Sequence, residues 1–298
     1  MSVTRLVLGT AALGLPYGLP AAGASAPVLI PDGSAAALVA AARAAGISHF
    51  DTAPAYGEAE ERLGRHLGPA GTVWTKVDHR LRPGPDLAAG LEASIVTSLE
   101  RLRRPRLDAL QWHNWTRALG EDPDWRRAWD ALAGDPRLQQ RGCSTYGVED
   151  ALAAVTSGCF ELVQVEGNIL NPSVLDALTG PARAAGVAVA VRSVYLQGVL
   201  TPKGAALPHH LAGLAPARAR VVDRAEDLGL PLAHLALRAI LDHPAVSWVL
   251  VGLDGADQLA EAVAAAERPA LDPAVRLALS DLAVADPRLT DPRTWARP

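Results

Sequence analysis

Lysine is almost missing from this 298-residue chain: of its 28 basic residues only Lys76 and Lys203 are lysines, and arginine supplies the rest. Cysteine is equally scarce. Cys143 and Cys159 are too few for a disulfide framework, and their separation does not suit a metal site. An excess of positive charge is also lacking: 28 basic against 32 acidic residues give a formal charge of −4. That balance offers no basic face for nucleic acid or an anionic membrane. No apolar run approaches the roughly 18 residues that a membrane helix needs. Hydrophobic residues nevertheless make up 49% of the chain, enough for a well-cored globular protein.

The stretch Met1–Ala26 imitates a secretory signal, with Arg5 before an apolar run and Ala24-Ser25-Ala26 at a cleavage-like position. Gly14, Pro16, Gly18 and Pro20 break the helix that such a signal requires. A cytoplasmic protein is therefore expected.

What the chain does have is a rhythm. Eight short runs fit strands: Arg5–Thr10, Ser48–Ala53, Thr72–Val77, Leu107–His113, Gln140–Thr145, Leu162–Glu166, Val187–Ser193 and Ser247–Gly252. Amphipathic Ala/Leu-rich stretches alternate with them, at Ser34–Ala45, Glu58–Leu67, Asp86–Leu102, Asp124–Leu132, Val148–Thr156, Ser173–Ala185, Ala217–Asp227, Pro231–Leu241 and Ala256–Ala266. Eight strand–helix units in about 250 residues are what a closed (β/α)8 barrel requires. An open doubly wound sheet would carry a glycine fingerprint after its first strand, and Gly9-Thr10-Ala11-Ala12-Leu13-Gly14 lacks that spacing. No linker-like break divides the chain, so residues 1–298 are expected to form one α/β domain. Two segments fall outside the rhythm. Gln197–Pro216, rich in Gly, Pro and His, is a candidate lid after the seventh strand. Asp286–Pro298 reads as an ordered tail.

Barrel catalysis sits at the C-terminal ends of strands. Asp51, Lys76 and His113 end three consecutive strands here, and Tyr56 follows Asp51 in the loop Thr52-Ala53-Pro54-Ala55-Tyr56-Gly57. A chain that uses arginine for nearly every surface cation has kept lysine at one strand end, where a compact ammonium differs most from a guanidinium fork. A phenol ordinarily titrates near pH ~10. A neighbouring ammonium should lower that value, and a carboxylate should fix the ammonium.

This constellation resembles the aldo-keto reductase superfamily. The segments that carry the likeness are Leu8-Gly9-Thr10, Phe50-Asp51-Thr52-Ala53-Pro54-Ala55-Tyr56-Gly57, Trp74-Thr75-Lys76 and Gln111-Trp112-His113. Gly142-Cys143-Ser144, Val163-Gln164-Val165 with Asn168, and Val251-Gly252 before Gln258-Leu259 continue it. The resemblance implies a nicotinamide-dependent reductase of aldehydes or ketones. Tyr56 would be the general acid, Lys76 its tuner, Asp51 the anchor of Lys76, and His113 the group that orients the carbonyl. It also implies a cofactor site built from Gly9, Thr10, Asp51, Ser144, Gln164, Arg192, Ser193, Leu196, Gly198, Gly252, Gln258 and Glu261. Arg192 stands where an aromatic ring commonly stacks on the nicotinamide, and its planar guanidinium could take that place.

The family favours NADP(H). Asp254 and Asp257 after the eighth strand would repel its extra phosphate, so NAD(H) is the alternative. No metal is expected. The substrate is a small carbonyl compound, sugar-like or flat, with Tyr17 and Trp115 as stacking candidates. Trp112 should face the helix layer by strand alternation, and Trp125 and Trp129, four apart, should pack a helix face. Glu166 has no evident role. An isomerase or lyase on the same four residues, or a non-catalytic reductase-like binding subunit, are the alternative functions.

Overall fold

The computed structural model describes residues 2–20 and 24–295. Met1 and residues 21–23 of the signal-like stretch, and residues 296–298 of the tail, lie outside the described residues. All eight expected strands form: β1 Leu6–Gly9, β2 His49–Asp51, β3 Thr72–Lys76, β4 Ala109–Trp112, β5 Arg141–Ser144, β6 Leu162–Glu166, β7 Ala188–Arg192 and β8 Trp248–Gly252. Each pairs in parallel with its sequence neighbours, and β8 closes on β1 through Leu6–Val249 to Gly9–Gly252. The result is the anticipated single (β/α)8 barrel.

The helices of the outer layer are α1 Ala11–Gly14, α2 Asp32–Ala44, α3 Ala59–Leu67, α4 Leu87–Leu102, α5 Arg117–Gly120, α6 Pro123–Asp130 and α7 Gly147–Thr156. They continue with α8 Ser173–Leu178, α9 Pro181–Ala185, α10 Ala215–Asp227, α11 Leu232–Leu241, α12 Ala256–Glu267 and α13 Pro273–Ala278. The stretch read as one helix over Ser173–Ala185 is two, because Pro181 has no N–H to continue the ladder and instead opens α9. The short α1, α5 and α13 were not anticipated. One or two turns carry too little periodicity to show in a sequence.

Strand alternation separates two cores. Outward residues such as Phe50, Val73, Leu110, Trp112, Val163 and Val249 join the helix faces in one large apolar cluster. Trp112 is part of it, edge-on to Trp125 and Trp129 at 5.8 and 6.0 Å between ring centroids. Trp125 and Trp129 stack on each other, 13° from parallel. Inward residues fill the barrel in layers. His49, Trp74 and Trp248 close the lower end, with Trp74 edge-on to Trp248 at 5.7 Å. Val7, Ala109, Leu162, Ala190 and Leu250 form the apolar middle. The polar layer above them belongs to the site.

The segment after β7 is docked rather than loose. Its 3-10 turns Pro202–Ala205 and His209–Leu214 bury Leu211 and Leu214, and Arg218 donates to the carbonyls of Val199 and Thr201. The described part of the tail, up to residue 295, is ordered as expected. Thr290 is buried and accepts from Asn171 Nδ2, and Trp295 donates to the Leu289 carbonyl.

Close helix packing makes one position intolerant. A β-carbon at Gly64 of α3 would lie 2.2 Å from the Arg101 carbonyl oxygen on α4. Gly64→Ala must push the two helices apart, at a cost of about 1–3 kcal/mol despite alanine's better helix propensity. Urea unfolding of that variant should show a lower midpoint with an unchanged slope. A stabilised variant would show that α3 and α4 are not held this closely.

Candidate active site

At the upper mouth of the barrel, strand register sets the first contacts. Gly9 pairs with Asp51, Asp51 with Trp74, and Lys76 with Gln111, so Asp51, Lys76 and Gln111 project inward on adjoining strands. Lys76 is fully buried and Asp51 nearly so. Lys76 Nζ donates to Asp51 Oδ2 at 2.7 Å and to the Thr52 carbonyl at 2.9 Å. Two of the three N–H donors of the ammonium are thereby taken, and its charge stands beside Tyr56.

The other carboxylate oxygen, Asp51 Oδ1, accepts from Gln111 Nε2 at 3.0 Å and Gln164 Nε2 at 2.8 Å. The Asp51 backbone carbonyl accepts both the N–H and the hydroxyl of Thr10 at 2.9 Å. Thr10, expected to touch a cofactor, therefore acts from beneath, fixing the strand that carries Asp51. Gln111 was missed in the sequence. Its inward phase follows from Trp112 facing out, but a glutamine in an apolar strand gives no further signal.

Tyr56 is placed by a close approach of backbones. A β-carbon on Gly14 would sit 1.8 Å from the Tyr56 carbonyl oxygen, and one on Gly57 (φ +56°) 2.4 Å from the Gly14 carbonyl oxygen. Only glycine at both positions lets α1 press against the loop and hold the phenol over Lys76, whose Nζ lies 5.1 Å from the ring centroid. The His113 ring stands perpendicular to that of Tyr56, 6.1 Å between centroids. The four residues expected to act together are thus brought to one place.

Their electrostatics refine the expectation. Burial drives the Tyr56 pKa up, and Lys76 and Arg192 pull it back without cancelling the rise. The net lowering anticipated from Lys76 alone is therefore not met, because the phenol is more deeply buried than a strand-end loop suggests. Burial would lower the Lys76 pKa, but Asp51 and Tyr56 outweigh it and the net direction is upward. Tyr56 as a neutral donor beside an ammonium is the resulting state at neutral pH. His113 is pushed down to about 3 by burial and then by Lys76, Arg192 and His79. It is a neutral imidazole, and its buried Nδ1 has no protein partner.

Two cavities open at this end of the barrel, one of them on His113. A long cleft of about 1150 Å³, open mouth included, runs between the loops after β1, β7 and β8. Of the expected cofactor residues, Ser193, Gly198, Gly252, Gln258 and Glu261 line it. Tyr17 lines it as well, its ring lying over Gly252, so it belongs to this cleft. Its hydroxyl is pushed up to about 12 by burial and by Tyr56. The loop from Ser193 to Gly198 holds four residues at positive φ, Ser193, Leu196, Gln197 and Gly198. Such turns build concave N–H-lined anion nests. A smaller cavity of about 630 Å³ opens on His113 from the other side, walled by Asp78, His79, Leu81, Arg82, Trp112 and Asn114.

Other expected contacts are placed differently. Arg192 does not line the cleft. Its Nη2 donates to the Thr145 carbonyl at 2.7 Å, lies 3.6 Å from Glu166 Oε2, and its guanidinium stacks 3.9 Å above the Tyr146 ring. Arg293 of the tail lies 3.4 Å from the same ring centroid. This explains Glu166, which pairs with Arg192 across β6 and β7 and accepts the first N–H of α7 at Gly147. Leu196 is fully buried beside Leu19 in an apolar cluster. Trp115, expected at the mouth as a stacking ring, is 1% exposed and packed edge-on against Phe160. Its backbone N–H donates to the Ser144 carbonyl, which turns the chain inward and takes the indole into the helix layer. Gly9 lies against Gly252 on the neighbouring strand, and Ser144 sits buried beside Gln164.

The fold and this site define a class, and the comparisons agree. Residues 5–278 match the Aldo/keto reductase family, and the chain belongs to that family of oxidoreductases. It is similar to the pyridoxal 4-dehydrogenase of Microbacterium luteolum, 27% identical over 88% of this chain and 89% of that protein. A crystal structure of a putative aldo-keto reductase from Pseudomonas aeruginosa matches with TM-score 0.63 and 25% identity over 88% and 89% of the two chains. The holo form of an aldo-keto reductase from Bacillus halodurans matches with TM-score 0.76 and 23% identity over 95% and 93%.

Aldo-keto reductases use nicotinamide cofactors, and the residues here fit such a group. Buried Gln164 Oε1 and Thr145 Oγ1 have no protein partner, as polar atoms awaiting a ligand amide would. The long cleft between the loops after β1, β7 and β8, at the same end of the barrel, is of a size that suits the rest of a dinucleotide.

The His113 shift has a consequence for acid stability. An unfolded histidine gains its proton near pH ~6.5, whereas His113 in the fold stays neutral until about 3. Between these values the unfolded state binds more protons, so the native state loses stability as the pH falls below about 6.5. This one group steepens the decline by about 1.4 kcal/mol per pH unit in that window. Urea unfolding at several pH values between 7 and 4 should show a shallower decline for His113→Asn than for wild type. Parallel declines would mean that His113 titrates normally.

Proposed function

We propose that the protein interconverts a carbonyl and an alcohol on a small substrate, with a nicotinamide dinucleotide held along the long cleft. The observation that carries this reading is the hydrogen-bond arrangement at Lys76. Held by Asp51 and the Thr52 carbonyl, Lys76 stands as an ammonium beside Tyr56, whose hydroxyl can give its proton to a ligand oxygen. When bound, the cofactor supplies or accepts a hydride at the carbonyl carbon.

The chain's own residues do the rest. His113, neutral and facing Tyr56, orients the substrate oxygen by hydrogen bonding. Tyr56 donates its proton to that oxygen as negative charge develops, and Lys76, held by Asp51, stabilises the phenolate left behind. In the reverse direction the phenolate takes the proton back. The buried setting excludes water and strengthens each of these interactions.

The cavity beside His113 is lined by Trp112 and the apolar Leu81 together with polar His79, Arg82 and Asn114. It suits a compact flat or sugar-like carbonyl compound. Pyridoxal, named in the Microbacterium luteolum relative, is of that flat class. Both NADP(H), the tendency of the family, and NAD(H) are compatible with this reading.

Tyr56→Phe keeps the ring and removes the proton. Its kcat for aldehyde reduction should fall by about 10²–10⁴, while NADH and NADPH binding, read by quenching of protein fluorescence, stays within about twofold. Unchanged turnover would rule out Tyr56 as the acid. Turnover without net oxidation or reduction of the dinucleotide would assign the site to an isomerase or lyase instead.

A further inference from the structure

The far end of the long cleft carries an unusual charge. Asp254, two residues past β8, and Asp257 and Glu261 on α12 all line it. Lys203 is the only lysine or arginine among the residues lining the cleft, and it is already engaged in an ion pair with Asp254 Oδ2. Asp254 Oδ1 accepts from Gln258 Nε2, and Gln258 Oε1 accepts from the Asp254 N–H at 3.3 Å. The Asp254 carboxylate is thus held in place, still 31% exposed.

We propose that this end of the cleft selects NAD(H) over NADP(H), with Asp254 as the residue that reads the adenosine ribose. The proposal rests on the dinucleotide reading above and gives it a cofactor class. The reacting ring must lie beside Tyr56, and the near end of the cleft is Gly252, which pairs with Gly9, the strand neighbour of Asp51. The rest of the dinucleotide can extend only along the cleft, toward Asp254 and the first turns of α12. A ribose there presents hydroxyl donors, and a fixed carboxylate is the acceptor that suits them.

A 2′-phosphate presents a charge between −1.5 and −2 at neutral pH. The N-terminus of α12 favours an anion with about half a charge, and Lys203 adds one. Three carboxylates exceed both together, so the phosphate meets net repulsion. Lys203 can turn to the phosphate only by leaving Asp254 unpaired beside it. Nothing similar opposes the uncharged diol.

The test is equilibrium binding of NADH and NADPH to the wild-type protein, read by fluorescence quenching in a buffer without phosphate. NADH should bind about tenfold more tightly or better, and added salt should narrow the gap by screening. Asp254→Asn removes one charge and frees Lys203, so NADPH should tighten and NADH weaken, each by several-fold. Asp257→Asn should tighten NADPH alone. Thermal melts confirm that each variant is folded. NADPH binding as tightly as NADH to the wild type, or a ratio unmoved by both substitutions, overturns the proposal and leaves the dinucleotide reading standing. Binding of neither dinucleotide overturns that reading itself.

Discussion

The Asp51 carboxylate is the joint on which the site depends. Its two oxygens accept from Lys76 on β3, Gln111 on β4 and Gln164 on β6, so one side chain ties four strands across the barrel mouth. A buried carboxylate without partners would be costly to keep ionised. Here the charge is met by one ammonium, and the remaining acceptor capacity by two amides. Lys76 depends on it in turn: burial would favour the neutral amine, and Asp51 is the first of the groups that reverse this. Removing the carboxylate would strand a buried cation and loosen two glutamines at once. For this reason the pair is both the electrostatic source for Tyr56 and the polar layer that completes barrel packing at the top.

The same strands serve two incompatible demands by alternation. Trp74 and Lys76 face inward from β3, one closing the apolar lower end and the other standing in the polar mouth. Between them Val73 and Thr75 face out to the helices. The ends of the barrel differ because the layers differ. Below, indoles and His49 fill the space without charge, and above, Asp51, Lys76, Gln111 and Gln164 are joined by hydrogen bonds. Glycines then bring Tyr56 in from outside the barrel wall. The phenol is attached to a loop, yet the Gly14–Gly57 contact fixes that loop as firmly as a strand would.

Much of this was legible in the sequence, for identifiable reasons. Strand positions follow from β-branched runs, and a strand-end residue in a barrel has one place to go, so Asp51, Lys76 and His113 could be set side by side. What failed depended on three-dimensional partners. Arg192 and Glu166 look unrelated until the β6–β7 register puts them opposite each other. Trp115 lies three residues past an outward-facing tryptophan, and only the bond from its backbone N–H to Ser144 sends it into the core. Gln111 shows no chemistry until its acceptor is known. The direction of the Tyr56 shift was misjudged because proximity to lysine is visible in a sequence and depth of burial is not.

The scarcity of lysine acquires a physical sense from these placements. Both lysines stand against aspartates, Lys76 with Asp51 in the barrel mouth and Lys203 with Asp254 at the cleft, while arginines hold carbonyls and carboxylates elsewhere, as Arg104 holds Gly68, Ala70 and Gly71. A guanidinium is a broad planar fork of five donors, well matched to carboxylates and to rows of carbonyls. At the Lys76 position it would be too large for the closely set Asp51 and Thr52 acceptors, and its charge would be spread away from Tyr56. An ammonium concentrates the charge at one atom, which donates to both acceptors and stands beside the Tyr56 ring. Arg192 shows the contrast within the same mouth. Its plane stacks on Tyr146 and its edge bonds to Thr145, a role for a flat cation that a point charge could not fill. The two kinds of cation are therefore divided by the shape of what they must bind, and the rarer kind is found where a single atom has to carry the charge.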